Sequence, residues 1–185
     1  SDINRLNLTT GFTLETWVNA PAIPRTVSQV ILIKGNLAND DGYFIYAPAT
    51  VGTITFSVDD NINKATVDST SSINNSKWNH IVATFNPSSS IRIYMNGVLE
   101  ATDNTNVPGM PLNVNLPFVI GSRSDASANF FNGSIQGVRI YNRSLSANQI
   151  YELYNSYNTS GINKLVSEET TAGKTYKASL YASDT

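Results

Sequence analysis

The chain has 185 residues, a net charge of −2, no Cys and a single His, His80. Those counts exclude a disulfide framework, Cys-ligated zinc, an iron–sulfur cluster, a thiol nucleophile and any multi-His metal site. The weak negative charge argues against nucleic acid or an anionic membrane as partner.

Charged residues make up only 14% of the chain, against about 25% in ordinary soluble proteins. Asn, Ser and Thr fill the gap. Such a surface suits β-structure with many turns, and it points to an extracellular or cell-surface setting. No apolar run approaches the roughly 20 residues that cross a bilayer, so direct membrane insertion is not expected.

Period-two patterns begin at FTLETWV (12–18), which puts Phe12, Leu14 and Val18 on one face. VILI (30–33) is continuously apolar and reads as a strand covered on both faces. Asp41-Gly42 precedes YFIYA (43–47). TITFSV (53–58) and KATVD (64–68) flank a VDDN turn, and HIVATF (80–85) is a further strand. IRIYM (91–95) and VLEAT are joined by Asn96-Gly97, a strong hairpin signal because a type I′ turn needs positive φ at both positions. The three prolines of 106–117 make that stretch a loop, and IQGVRIY (135–141) is the last strand. Strands at this spacing predict an all-β sandwich or barrel.

SANQIYELYNSY (146–157) changes period. Ile150, Leu153, Tyr154 and Tyr157 line one helical face, and Ser146 with Gln149 forms a capping box. The expected division is a sandwich over residues 1–158 and an extension over 159–185, which reads as a donor strand or the start of a following domain. In that extension Tyr176, Ala178, Leu180 and Ala182 alternate with polar residues as in a strand.

The acidic residues do not read as a hydrolase pair. Two carboxylates serving one groove from a strand need i, i+2 spacing. Asp40-Asp41 and Asp59-Asp60 are adjacent and sit at turns, and Glu15 is alone on its strand. His80 reads as a sheet-end His satisfied by backbone. Asn39, Asp40 and Asp41 form the one loop whose oxygens suggest a structural calcium, which needs six to eight of them. For a glycan, aromatic faces cover sugar C–H surface while polar groups bond the hydroxyls. On that basis the candidates are Tyr43, Tyr46, Arg123, Asp125, Asn129 and Phe130. Asn7, Asn74, Asn132, Asn142 and Asn158 head glycosylation triplets.

FTLETWVNAP, ILIKGN, WNHIVATF, IRIYMNGVLEA, FVIGSR and FNGSIQGVRIYNRSLSANQIYELY occur in the order of a laminin-G-like, concanavalin A-like jelly-roll domain, the variant found in bacterial and archaeal surface proteins. The resemblance covers about residues 3–157. It implies a two-sheet antiparallel jelly roll with one C-terminal helix, a role in adhesion or recognition of a glycan or cell-surface protein, and core positions for Trp17 and Trp78. Two departures stand out. SDINRLNLTT does not supply the strand that usually precedes FTLETWV. Gln136-Gly137 replaces an Asp-Glu pair whose acid can help hold calcium in related sandwiches. A sandwich short of one strand, with a spare strand in its tail, leads to the expectation of self-association into a filament by strand donation through Tyr176, Ala178, Leu180 and Ala182.

Overall fold

The computed structural model describes Leu6 and residues 8–21, 26–39, 41–74, 76–113 and 115–158. Among the described residues the elements in chain order are β1 (Phe12–Asn19), β2 (Gln29–Asn36), β3 (Asp41–Ala47), β4 (Thr55–Asp59), β5 (Lys64–Asp68), β6 (Trp78–Asn86), β7 (Ser90–Met95), β8 (Val98–Asp103), β9 (Phe118–Ile120), β10 (Ser134–Tyr141) and α1 (Ala147–Asn158). Two five-stranded antiparallel sheets result, ordered β10-β1-β6-β7-β8 and β5-β4-β3-β2-β9. This is the predicted jelly-roll sandwich with one helix. The expected extension at 159–185, with Tyr176, Ala178, Leu180 and Ala182, lies outside the described residues, as does the segment ahead of Leu6.

The alternation read from sequence fills the space between the sheets. Phe12, Leu14 and Val18 of β1 meet Ile45, Phe56, Ile81, Phe85, Ile91 and Ile93 in one buried cluster. The Phe12 ring centres it, 4.8 Å from Tyr43 and 5.1 Å from Phe85. The VILI run divides as its apolarity requires. Ile31 and Leu32 enter the inter-sheet core, while Val30 and Ile33 join Phe44 on the outer face.

Helix α1 covers the other outer face. Ile150 and Leu145 bury Val82 of β6 and Tyr94 of β7. Its start follows the sequence signal: Gln149 N–H donates to Ser146 Oγ at 3.3 Å, and Ser146 N–H donates back to Gln149 Oε1 at 2.9 Å. The β7–β8 turn has φ of 51° at Asn96 and 79° at Gly97, the primed geometry that keeps the strand twist. A Cβ at Gly97 would also meet the Tyr154 ring within about 3.0–3.2 Å, so the turn must be bare where the helix crosses it.

The two sides of the sandwich end differently. Where β5 and β8 border each other, Glu100 accepts the Thr70 and Ser71 N–H groups, both at 2.7 Å, and Asp103 accepts Thr66 N–H at 3.1 Å. Asp103 thereby occupies an N–H group of β5 that another strand would otherwise bond. On the opposite side β9 is only three residues long beneath the eight-residue β10. Replacing Ser146 by Ala removes one half of the capping box, so Ser146→Ala should cost about 1 kcal/mol in a urea unfolding series. The slope against denaturant should stay unchanged.

Candidate functional site

The polar surface feature that brings sequence candidates together lies where β2 turns into β3. Asn36 N–H donates to Asp41 Oδ1 at 2.9 Å, and Asn36 Oδ1 takes Ala38 N–H at 3.0 Å, so the turn is held by its own side chains. Gly42, at φ of 87°, is needed there because a Cβ would strike the Lys34 carbonyl at 2.2 Å. Against this turn folds the lobe after β9. Arg123 N–H bonds Ala128 O at 3.1 Å, Ala126 N–H bonds Arg123 O at 2.8 Å, and Ser124 Oγ donates to the Gly35 carbonyl. Asn36, Leu116, Arg123, Ser124 and Asp125 enclose a cleft of about 70 Å³.

Arg123 and Asp125 face each other across its mouth at 3.5 Å and are partly exposed, 30% and 54%. Hydrogen bonds from Ser127, and then the Arg123 charge, hold the Asp125 pKa below its ordinary value. Asp125 therefore stays an acceptor at neutral pH. Under the cleft, the buried Lys34 ammonium donates to Leu116 O, and its burial lowers its pKa.

The other predicted site residues are placed as follows. Phe130 stands on the same lobe with 60% of its surface exposed. Asn129 anchors the lobe, its Nδ2 donating to Ser28 O at 2.7 Å and its carbonyl taking Val30 N–H at 2.9 Å. Tyr43 is corrected by the structure: at 2% exposure it packs on Phe12 and donates to Leu6 O, so it presents no face to a sugar. The reason is register, since β3 pairing turns Tyr43 inward with Ile45. Tyr46 faces outward, half-buried beside Phe44 at 5.8 Å.

Asp40 lies outside the described residues. Asp41 Oδ1 accepts the Asn36 N–H within the turn, and among the described residues, which leave out Asp40, no three His, Asp or Glu side chains converge. Of the glycosylation candidates, Asn132 and Asn142 are exposed and Asn74 is half-buried. Asn7, and the side chain of Asn158, lie outside the described residues.

A second constellation was not legible in the sequence. Glu15 is buried beneath α1. Tyr141 Oη donates to it at 2.6 Å, Arg139 at 3.0 Å and His80 Nε2 at 3.2 Å. Tyr154 stacks on the His80 ring at 6.0 Å, and Trp17 lies tilted beside it at 4.8 Å. The partner of the His80 ring is thus a carboxylate on Nε2, where a backbone partner was expected, and Nδ1 is buried without one. The pairing registers create this. Glu15 lies opposite Val82, two residues from His80, and opposite Arg139 on the other side. An extra residue at Gly137, with φ of 65°, gives β10 the bulge that turns Arg139 toward Glu15. Gly137 was notable in the sequence only as a departure from an acidic pair. Trp17 is buried as expected, though under the helix rather than between the sheets, whereas Trp78 is 43% exposed and is no core residue.

The two packed antiparallel sheets define a concanavalin A-like sandwich. The model of the concanavalin A-like lectin/glucanases superfamily, in its laminin-G form, matches residues 1–151, and the chain belongs to that family. No curated protein matches the chain. Among solved structures it is similar to the binding domain of Paraclostridial Mosquitocidal Protein 1, at 20% identity and a TM-score of 0.62 over 81% of this chain and 38% of that one. It is similar to a Bacteroides ovatus protein proposed to bind carbohydrate, at 16% identity and 0.61 over 78% and 40%. It also resembles the binding domain of botulinum neurotoxin DC in complex with SialylT, at 17% identity and 0.60 over 84% and 37%. The chain spans about two-fifths of the length of these proteins, so the likeness carries the fold alone.

The Glu15 network makes a pH-dependent contribution to stability. Burial alone would raise the Glu15 pKa, but the bonds from His80 and Tyr141 and the Arg139 charge outweigh it and bring it below 4.5. A lowered folded-state pKa stabilises the fold above the unfolded value, and that stability is lost as pH falls through the folded one. Glu15→Gln should cost about 3–5 kcal/mol at pH 7, the cost of breaking a buried pair. The gap between variant and parent should narrow below pH 4.5 in urea titrations. Arg139→Ala, at a 44% exposed side chain, should cost only about 1 kcal/mol.

Proposed function

We propose that this chain is a non-catalytic recognition module of an extracellular or cell-surface protein, and that it binds the exposed end of a glycan at the cleft between the β2–β3 turn and the 122–131 lobe. The observation that carries this reading is the Arg123–Asp125 pair, a donor fork beside an ionised acceptor, on the same lobe as an unburied Phe130. Sugar recognition asks for that combination, an apolar face for ring C–H groups and charged partners for hydroxyls. At about 70 Å³ the cleft is far smaller than the roughly 300–1,000 Å³ of pockets that engulf a small molecule, so contact with a glycan is shallow.

Support for a module without catalysis comes from the acidic groups. Asp59 Oδ1 and Asp60 Oδ1 cap the β4–β5 turn by accepting the N–H groups of Asn61, Ile62 and Asn63. Glu15 is sealed under a helix by three donors. Neither place gives two carboxylates one groove.

Glycan arrays followed by calorimetry test the reading. A bound glycan should lose at least tenfold in affinity to Arg123→Ala and to Phe130→Ala, with the Tm of each variant unchanged. Tyr43→Phe should bind as the parent does. Blank arrays at millimolar ligand, or binding indifferent to Arg123, would remove this function. Incubation with a polysaccharide panel should release no more product than a boiled control.

A further inference from the structure

Among the described residues, the side of the sandwich between β9 and β10 is open. Phe118, Phe131, Ile135, Val138 and Ile140 border the inter-sheet core yet are only partly buried, and Ile120 is 50% exposed. A Cβ on Gly121 would meet Ile135 Cδ1 at 3.6 Å, so the two edges face each other across the core. The imbalance has a simple cause. β10 runs for eight residues and β9 covers it for three. Among the described residues no strand pairs with the free flank of β9. The missing wall belongs to the β2–β9 sheet, and one added strand would close it.

The chain carries a segment of the right form beyond α1. Residues 175–182, TYKASLYA, alternate Tyr176, Ala178, Leu180 and Ala182 with Lys177, Ser179 and Tyr181. Seated beside β9, the first set would cover Ile135, Val138 and Ile140, and the second would face water. Backbone bonds supply affinity and the alternating side chains supply register.

The connector decides whose segment it is. Tyr154 of α1 stacks on Trp17 of β1, the strand next to β10. From there to a strand beside β9 is about 25–30 Å: two strand spacings, the gap between sheets and a similar height of the helix above its own sheet. Residues 159–174, between helix and segment, could extend to about 55 Å. Connections within one domain usually take two to six residues, and long ones are uncommon. A connector about twice as long as the local hop suits a crossing to another molecule.

We infer that the β9 edge accepts residues 175–182 of a second copy of this chain. Donor and acceptor surfaces differ, so each copy keeps a free acceptor at one end and a free donor at the other. Head-to-tail contact then grows a filament unless the rotation closes a ring. The β5–β8 side is less suited, because Asp103 occupies the Thr66 N–H of β5 and Glu100 holds the turn that follows it. This inference is tested separately from the glycan reading, whose cleft is lined by Asn36, Leu116, Arg123, Ser124 and Asp125 and shares none of them with the acceptor edge.

The lack of native Cys makes the test direct. Full-length chains carrying Ile120→Cys alone are mixed with chains carrying Ala178→Cys, Leu180→Cys or Ala182→Cys alone, then oxidised. One of the three mixtures should give disulfide-linked heterodimers at least tenfold above a Val98→Cys control, which lies on β8. The matching double variant should give a ladder on a non-reducing gel, and adding Leu180→Asp to the mixture's tail-bearing chain should abolish heterodimers while leaving its Tm unchanged. Cross-linking confined to one chain would overturn the inference in favour of self-closure. Linkage of Ile120→Cys to Asn4→Cys within a chain would overturn it in favour of the N-terminal segment. Heterodimers no more frequent than with Val98→Cys would overturn it outright.

Discussion

The structure turns on a buried carboxylate. Glu15 sits in the middle of β1, the strand that joins β6 to β10, and its oxygens take donors from both neighbours. An ionised carboxylate away from water is costly unless every lone pair is met. Meeting them constrains much else. β6 must place His80 diagonally, β10 must bulge at Gly137 to bring Arg139 and Tyr141 round, and α1 must close above with Tyr154. The network ties one helix and three strands in a single register, which uniform apolar packing would specify less tightly.

That arrangement separates stability from recognition. The face under α1 holds the buried charge and the stacked rings. The loops at the β2–β3 end hold a partly exposed ion pair and an unburied aromatic. Loops fixed on a rigid sandwich can vary in sequence without disturbing the core. Asn129 and Ser124 show how the lobe is fixed, each bonded to a carbonyl at a different end of β2. Charges at such sites make few demands on folding and remain available to a partner.

Sequence and structure agree where local physics decides. The strands follow their alternation, the Asn96-Gly97 turn its φ preference, and α1 its capping box. Tyr43 shows the limit. It shares its stretch with Phe44 and Tyr46, and nothing in YFIYA says which aromatic faces the other sheet. Trp78 shows it again, since a tryptophan at a strand's first residue stands at the sheet's end, where cover depends on what lies beyond.

The sequence by itself determined the all-β class, the strand order along the chain, the closing helix and the absence of thiol or multi-His chemistry. Those follow from periodicity, turn preference and composition, which act over a few residues; the choice of a two-sheet sandwich over a barrel came from the family resemblance. Only the tertiary structure decided that Glu15, His80, Arg139 and Tyr141 meet, that Asn36 and Arg123 border one cleft, and that the β9–β10 side is open among the described residues. Each of these joins residues 65 to 126 apart, or depends on how far one sheet overlaps the other. Such contacts are set by register and by a single bulge, and a one-residue slip, which leaves composition unchanged, sends every side chain to the opposite face.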